Sequence, residues 1–139
     1  MAKMDNVALF KLRVRQFVRY FNLINYSVTI EPCPVDDHDY YACVENNAVE
    51  VEEQPRTARI LYNESLLNTL EPWRVEQIAF HEAIELLLCN LSSWSACRKI
   101  KVSQREIDGE THNIIHVLLN TVYVNALKEA KRMDGGIND

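Results

Sequence analysis

Three residues in the middle of one long apolar stretch, His81, Glu82 and Glu85, are the first in this chain whose types and spacing could do chemistry. They interrupt Trp73–Leu91, WRVEQIAFHEAIELLLCNL, which is apolar on nearly every side and reads as a buried central helix. An unpaired polar group in such a place costs about 2–7 kcal/mol, and an unpaired charge more. At about 100° per residue, His81 and Glu85 project from one side of the helix, one turn apart, with Glu82 about a quarter-turn away. A metal ion held by His81 and Glu85, with Glu82 beside it, is the simplest arrangement that removes the cost.

A second set of unusual residues lies in EIDGETHNIIHVLLNTVY, Glu106 to Tyr123. Its apolar face is Ile115, Leu118, Leu119, Val122 and Ala126. The same helical rule puts Asp108 near the centre of that face and His112 within about 60° of it. His116 falls at its boundary and Glu110 roughly opposite. His112 and His116 are also i, i+4, a spacing able to chelate one ion. The metal-ligating candidates are thus His81, Glu85, His112, His116 and Asp108. Nitrogen and oxygen donors without cysteine favour Zn²⁺ over a sulfur-rich structural site. A di-iron carboxylate bundle needs Glu-x-x-His pairs. The residues three before His81, His112 and His116 are Ile78, Gly109 and Asn113, so that motif is absent. The fourth histidine, His38, lies in the acidic turn Val35-Asp-Asp-His-Asp and is expected to be solvated.

The elements that must position these residues follow from periodicity. Residues 4 to 24 place Val7, Phe10, Val14, Phe17, Val18, Phe21 and Ile24 at helical spacing, with Asp5 or Asn6 as N-cap. Tyr26 to Pro32 alternates like a half-buried strand. Tyr40–Glu45, Ala48–Glu53 and Thr57–Asn63 read as three more, with Asn46-Asn47 as a hairpin turn. Leu66 to Leu70 is a short helical turn, and Pro72 suits the first position of the central helix. Leu91 to Lys101 reads as a connection, and Ser103-Gln-Arg-Glu106 as a capping box opening a last helix to about Arg132, stopped by Asp134-Gly-Gly. Helix, a mostly antiparallel or mixed sheet of about four strands, central helix and long last helix make an α+β domain.

The 139 residues suit one domain, 1–139, with a frayed tail from about 133. A net charge of −5 argues against nucleic-acid binding, which needs clustered Lys and Arg. Lys11, Arg13, Arg15 and Arg19 are expected to form a solvated face of the first helix. No run of about 18 apolar residues suggests a membrane span, and the N-terminus lacks the apolar core of a signal peptide. Four cysteines without CxxC spacing are expected as reduced thiols, Cys89 as core filler, in a cytoplasmic protein.

A helix–sheet–helix order, with a strand ending Ile60-Leu61-Tyr62-Asn63 and a helix reading IAFHEAIELLL from Ile78 to Leu88, resembles the minimal zincin-like metallopeptidases. It looks most like the small zincin-like proteins of bacteriophage and prophage genomes, over roughly residues 20–125. In that family the helix carries HExxH and a later helix supplies a further ligand. The resemblance makes His81 a zinc ligand and Glu82 the general base of a metal-dependent peptidase. Glu85 stands where the motif has its second His, and a second anionic ligand would leave the ion less Lewis acidic. The later ligand falls to His112, with Asp108 or His116 as alternatives. Three readings follow: a zinc peptidase acting on a protein or peptide, a catalytically lapsed zincin-like binding or assembly module, or a metal-free interaction protein whose inward histidines are buried polar pairs.

Overall fold

The computed structural model describes residues 4–23, 26–33, 40–47, 56–97 and 104–137. The chain is α+β, as expected. Helix α1 (Asn6–Tyr20) precedes strands β1 (Tyr26–Pro32), β2 (Ala42–Asn47) and β3 (Arg56–Tyr62). The short α2 (Glu64–Leu67), the central α3 (Pro72–Cys97), α4 (Gln104–Thr121) and α5 (Tyr123–Ile137) follow.

Helix α1 starts where Asp5 accepts the Ala8 N–H at 2.7 Å, a side-chain cap for an otherwise unbonded donor. It ends before the expected Ile24, because Asn22 adopts a positive φ of 56°. Its N–H then donates to the Arg19 carbonyl and the Leu23 N–H to that of Val18, closing a left-handed C-terminal cap. Asn63, expected to close the sheet, caps α2 by accepting from Leu66 N–H.

The described strands form one three-stranded sheet in the order β1-β3-β2. β1 runs parallel to β3, from Tyr26 opposite Arg56 to Pro32 opposite Tyr62. β2 runs antiparallel, from Ala42 opposite Tyr62 to Asn47 opposite Thr57. The sheet is therefore mixed. Asn46 and Asn47, expected as a turn, are the last residues of β2, since both still pair with β3. The strand expected at Ala48–Glu53 lies outside the described residues, as do His38 and Ser103. In β3, Ala58, Ile60 and Tyr62 alternate inward, with Thr57 and Arg59 exposed between them.

Helix α3 lies against α1, α4 and β2. Its face Val75, Ile78, Ala79, Phe80, Ala83 and Ile84 supplies much of the core. Phe80 meets Phe17 edge-on, centroids 5.4 Å apart, and Tyr123 at 5.0 Å, the tilted geometry aromatic quadrupoles favour. α3 opens at Pro72 as expected but continues through the stretch read as a connection, to Cys97. No Gly or Pro interrupts it there.

The expected single last helix is two, divided at Val122. The divide falls in Thr121-Val-Tyr-Val124, whose β-branched and aromatic side chains are weak helix formers. Thr121 also bonds back to the Val117 carbonyl at 2.8 Å, which bends helices. α5 runs through Asp134-Gly-Gly to Ile137 instead of stopping there. Asp134 is held from the other side: its two carboxylate oxygens accept from Arg13 Nη1 at 2.8 Å and Gln16 Nε2 at 2.6 Å. Among the described residues no helix is long and apolar enough to cross a membrane.

Arg13 corrects the expectation of a solvated basic face on α1. It is buried, with its Nε 2.6 Å from Glu76 on α3 and Nη1 2.7 Å from Gln16. Arg13 lies three residues after Phe10 and one before Val14, on the core stripe of the helix. Burial works against its charge, but Asp134 and Glu76 outweigh that and raise its pKa.

Tyr123 packs beside this network. Burial, then the Glu76 charge, pushes its phenol up to about 12, with Arg13 acting in the opposite direction. The fold thus prefers the neutral phenol, whereas an unfolded tyrosine ionises near pH 10. Its contribution is whole below about pH 10 and is lost, by up to about 1.4 kcal/mol per pH unit, on the way to pH 12. Urea unfolding of the native chain and Tyr123→Phe between pH 8 and 12 should show the variant losing less stability over that range. Parallel losses would contradict the assignment.

Candidate metal centre

Packing of α3 against α4 brings three of the candidate residues together. His81 Nε2 lies 3.3 Å from Glu85 Oε1, one helical turn on, and His112 Nε2 approaches the same oxygen at 3.8 Å from α4. One possible ligand atom from each of the three lies within 4.8 Å of the others. The His81 and His112 rings are tilted at 43° with centroids 5.9 Å apart. For bonds of about 2.0–2.1 Å, neighbouring ligand atoms around a tetrahedral zinc lie about 3.3 Å apart. The His81–Glu85 separation already has that value, and His112 needs to close on Glu85 by about half an ångström. Its side chain is 54% exposed and free to make that adjustment.

The second nitrogen of His112 fixes the role of the first. Nδ1 lies 2.8 Å from the backbone carbonyl of Asp108, which can only accept. Nδ1 therefore carries a proton, and Nε2 is the nitrogen directed towards Glu85. A ring nitrogen facing a carboxylate is held by a proton or a cation between them. A backbone carbonyl orienting a ligating imidazole is the usual outer support of a metal site.

Asp108 and His116 are not brought into the cluster. Both are exposed, as are most described residues of α4 before Ile115. The first turns of α4 extend past the core, so the apolar face projected backwards from Ile115 meets solvent at Asp108. Asp108 serves His112 through its main chain. His116, one turn beyond His112, stays on the outer surface.

Glu82 is buried to 3% exposure and lies in the middle of the core helix. Its Oε2 has no hydrogen-bond partner, the only such buried side-chain atom among the described residues. Burial first, then the charge of Glu85 and a hydrogen bond with it, raises the Glu82 pKa well above the carboxylate range. Burial also pushes Glu85 up, but its hydrogen bond to His81, and the charge of that ring, outweigh it and leave Glu85 below its ordinary value. The donor set of two imidazoles and a carboxylate, with an orphaned buried carboxylate oxygen alongside, fits Zn²⁺.

His81 and Glu82 also line one end of an open cavity of about 220 Å³, with Tyr40, Tyr41 and Ala42 before and at the start of β2, and Leu119 on α4. Tyr40 and Tyr41 are expected in the strand core, with a binding groove as the alternative, and Tyr41 does pack against the core. Tyr40 is instead 43% exposed at this groove, because β2 begins only at Ala42. Nothing in the tyrosines' own spacing marks them as groove residues. The Arg13 network, by contrast, was signalled by an arginine at a core-stripe position.

No family model, curated protein or solved structure matches the chain.

Proposed function

We propose that this chain is a zinc-binding, zincin-like protein that hydrolyses peptide bonds, with His81, Glu85 and His112 holding the ion and Glu82 acting as general base. The observation that carries the reading is the convergence of these three side chains from two helices, beside a buried glutamate with an unpartnered oxygen. Three protein ligands leave a fourth position of a tetrahedral site for solvent or substrate. Bound there, Zn²⁺ would supply Lewis acidity to polarise the scissile carbonyl and ease deprotonation of water. Glu82 takes the proton from the attacking water as the carbon–oxygen bond forms. It delivers that proton to the amide nitrogen as the carbon–nitrogen bond breaks. The apolar wall around Glu82 keeps its carboxylate poorly solvated and basic. The groove leading to His81 and Glu82 gives an extended peptide a path to them.

Glu85 favours a second reading, a catalytically lapsed zincin-like binding or assembly module of phage type. Its carboxylate adds a negative charge where the family motif has a neutral imidazole, lowering the Lewis acidity of the ion. Hydrolysis of a mixed, internally quenched peptide library by zinc-loaded protein separates the two. Under the peptidase reading, Glu82→Gln retains its zinc and loses about 10²–10⁴ in rate. Zinc-loaded native protein no faster than Glu82→Gln supports the binding module.

A further inference from the structure

The groove beside the cluster ends, at the other side, on a cation the proposed chemistry does not use. Arg74 lines it with Gln77 and Ile78, on the same face of α3 as His81. Its Nη1 donates to Gln77 Oε1 at 3.1 Å, and no carboxylate pairs with it among the described residues. Arg13 shows how this fold treats an arginine with an internal role, giving it two carboxylates and an amide. Arg74 has one neutral neighbour and faces the groove, so most of its five donors remain available.

The groove's size and charge narrow what it can take. At about 220 Å³ it falls below the 300–1,000 Å³ of typical small-molecule sites, which suits part of a chain rather than a whole cofactor. Tyr40 and Tyr41 offer aromatic walls, and Ile78 and Leu119 apolar surface, for the side chains between its ends. The protein carries a net charge of −5, which opposes a polyanion, and the one arginine in the lining matches a single carboxylate. Arg74 and His81 are seven residues apart on one helix, an axial distance of about 10.5 Å at 1.5 Å per residue. An extended peptide covers that distance in about three residues.

We propose that this groove selects peptides bearing one acidic side chain about three residues from the peptide bond presented to His81 and Glu82, with Arg74 binding that carboxylate. The position of the reacting bond rests on the proposed metal site; the charge preference does not. An arginine matches a carboxylate through two parallel N–H···O bonds, a fit lysine lacks.

Fluorescence polarisation with labelled, C-terminally amidated octapeptide pools tests this on the full chain. One pool fixes Glu at position five and the other Gln, with all other positions mixed and uncharged. Native protein should bind the Glu pool about tenfold more tightly. Arg74→Gln should bind both pools alike, and Arg74→Glu should favour a matching Lys pool. Arg74 is exposed, so these variants should keep the native melting temperature. Equal binding of the two pools by native protein, no binding of either, or a Glu preference that survives in Arg74→Gln overturns the proposal. A third pool with Gln and a free C-terminus, bound in preference to the Glu pool, also overturns it, because the carboxylate would then be terminal. Zinc content and the same titrations on His81→Ala keep the two ideas apart. Loss of zinc with the Glu preference intact leaves the groove assignment standing alone, whereas native protein with zinc and no Glu preference overturns the groove assignment only.

Discussion

Arg13→Met should destabilise the chain by about 3–5 kcal/mol, the usual cost of removing one partner from a buried ion pair. The loss arises from what is left behind. Glu76 stays buried without its 2.6 Å partner, and the Gln16 carbonyl and one Asp134 oxygen lose theirs at the same time. For a domain of this size the change corresponds to a melting temperature lower by about 10–20 °C. Glu76→Leu should cost less, because Asp134 and Gln16 still hold the guanidinium. The double variant Arg13→Met/Glu76→Leu should recover much of the loss, since a well-packed apolar pair can equal a buried ionic one. Asp134→Ala should be milder, its carboxylate being 30% exposed and open to water. A loss below about 1 kcal/mol for Arg13→Met would mean that the three helices are held by the aromatic core alone.

Glu82→Leu should have the opposite sign. Glu76 and Glu82 are buried glutamates six residues apart on one helix, yet only Glu76 has an arginine. Glu82 faces apolar surroundings with Oε2 unpartnered and Glu85 as a like-charged neighbour. Removing an unsatisfied buried polar group returns about 1–3 kcal/mol. In metal-free protein, urea unfolding of Glu82→Leu should therefore show a gain of that order. A fold that keeps a destabilising residue in its core keeps it for function. Destabilisation by more than about 1 kcal/mol would instead make Glu82 an ordinary structural partner, and its oxygen would need an unrecognised donor.

Where the sequence was legible, one period ran through one element. The alternation of Tyr26 to Pro32 identified β1, and the i, i+4 pair of His81 and Glu85 needed nothing beyond the helix that holds them. Legibility failed wherever a long-range contact decided the outcome. The run from Gln104 looked like one helix because its apolar face continues past the bend at Val122. The Asp134-Gly-Gly stop was overridden by Arg13 and Gln16, more than a hundred residues away. The choice among Asp108, His112 and His116 depended on how far α4 extends beyond the core, which a helical wheel does not contain. Parallel pairing of β1 with β3 was likewise invisible to strand patterns, since alternation is the same for either direction.

Elemental analysis tests most directly whether His81, Glu85 and His112 hold a zinc ion. The protein is purified without an affinity tag, as the native chain and as His81→Ala. About one zinc per native chain and none in the variant, with both folded, is the expected result. A folded native protein that holds no zinc, even after zinc is added back, would contradict it. The cluster would then be a polar arrangement of two imidazoles and a carboxylate, with no role in hydrolysis.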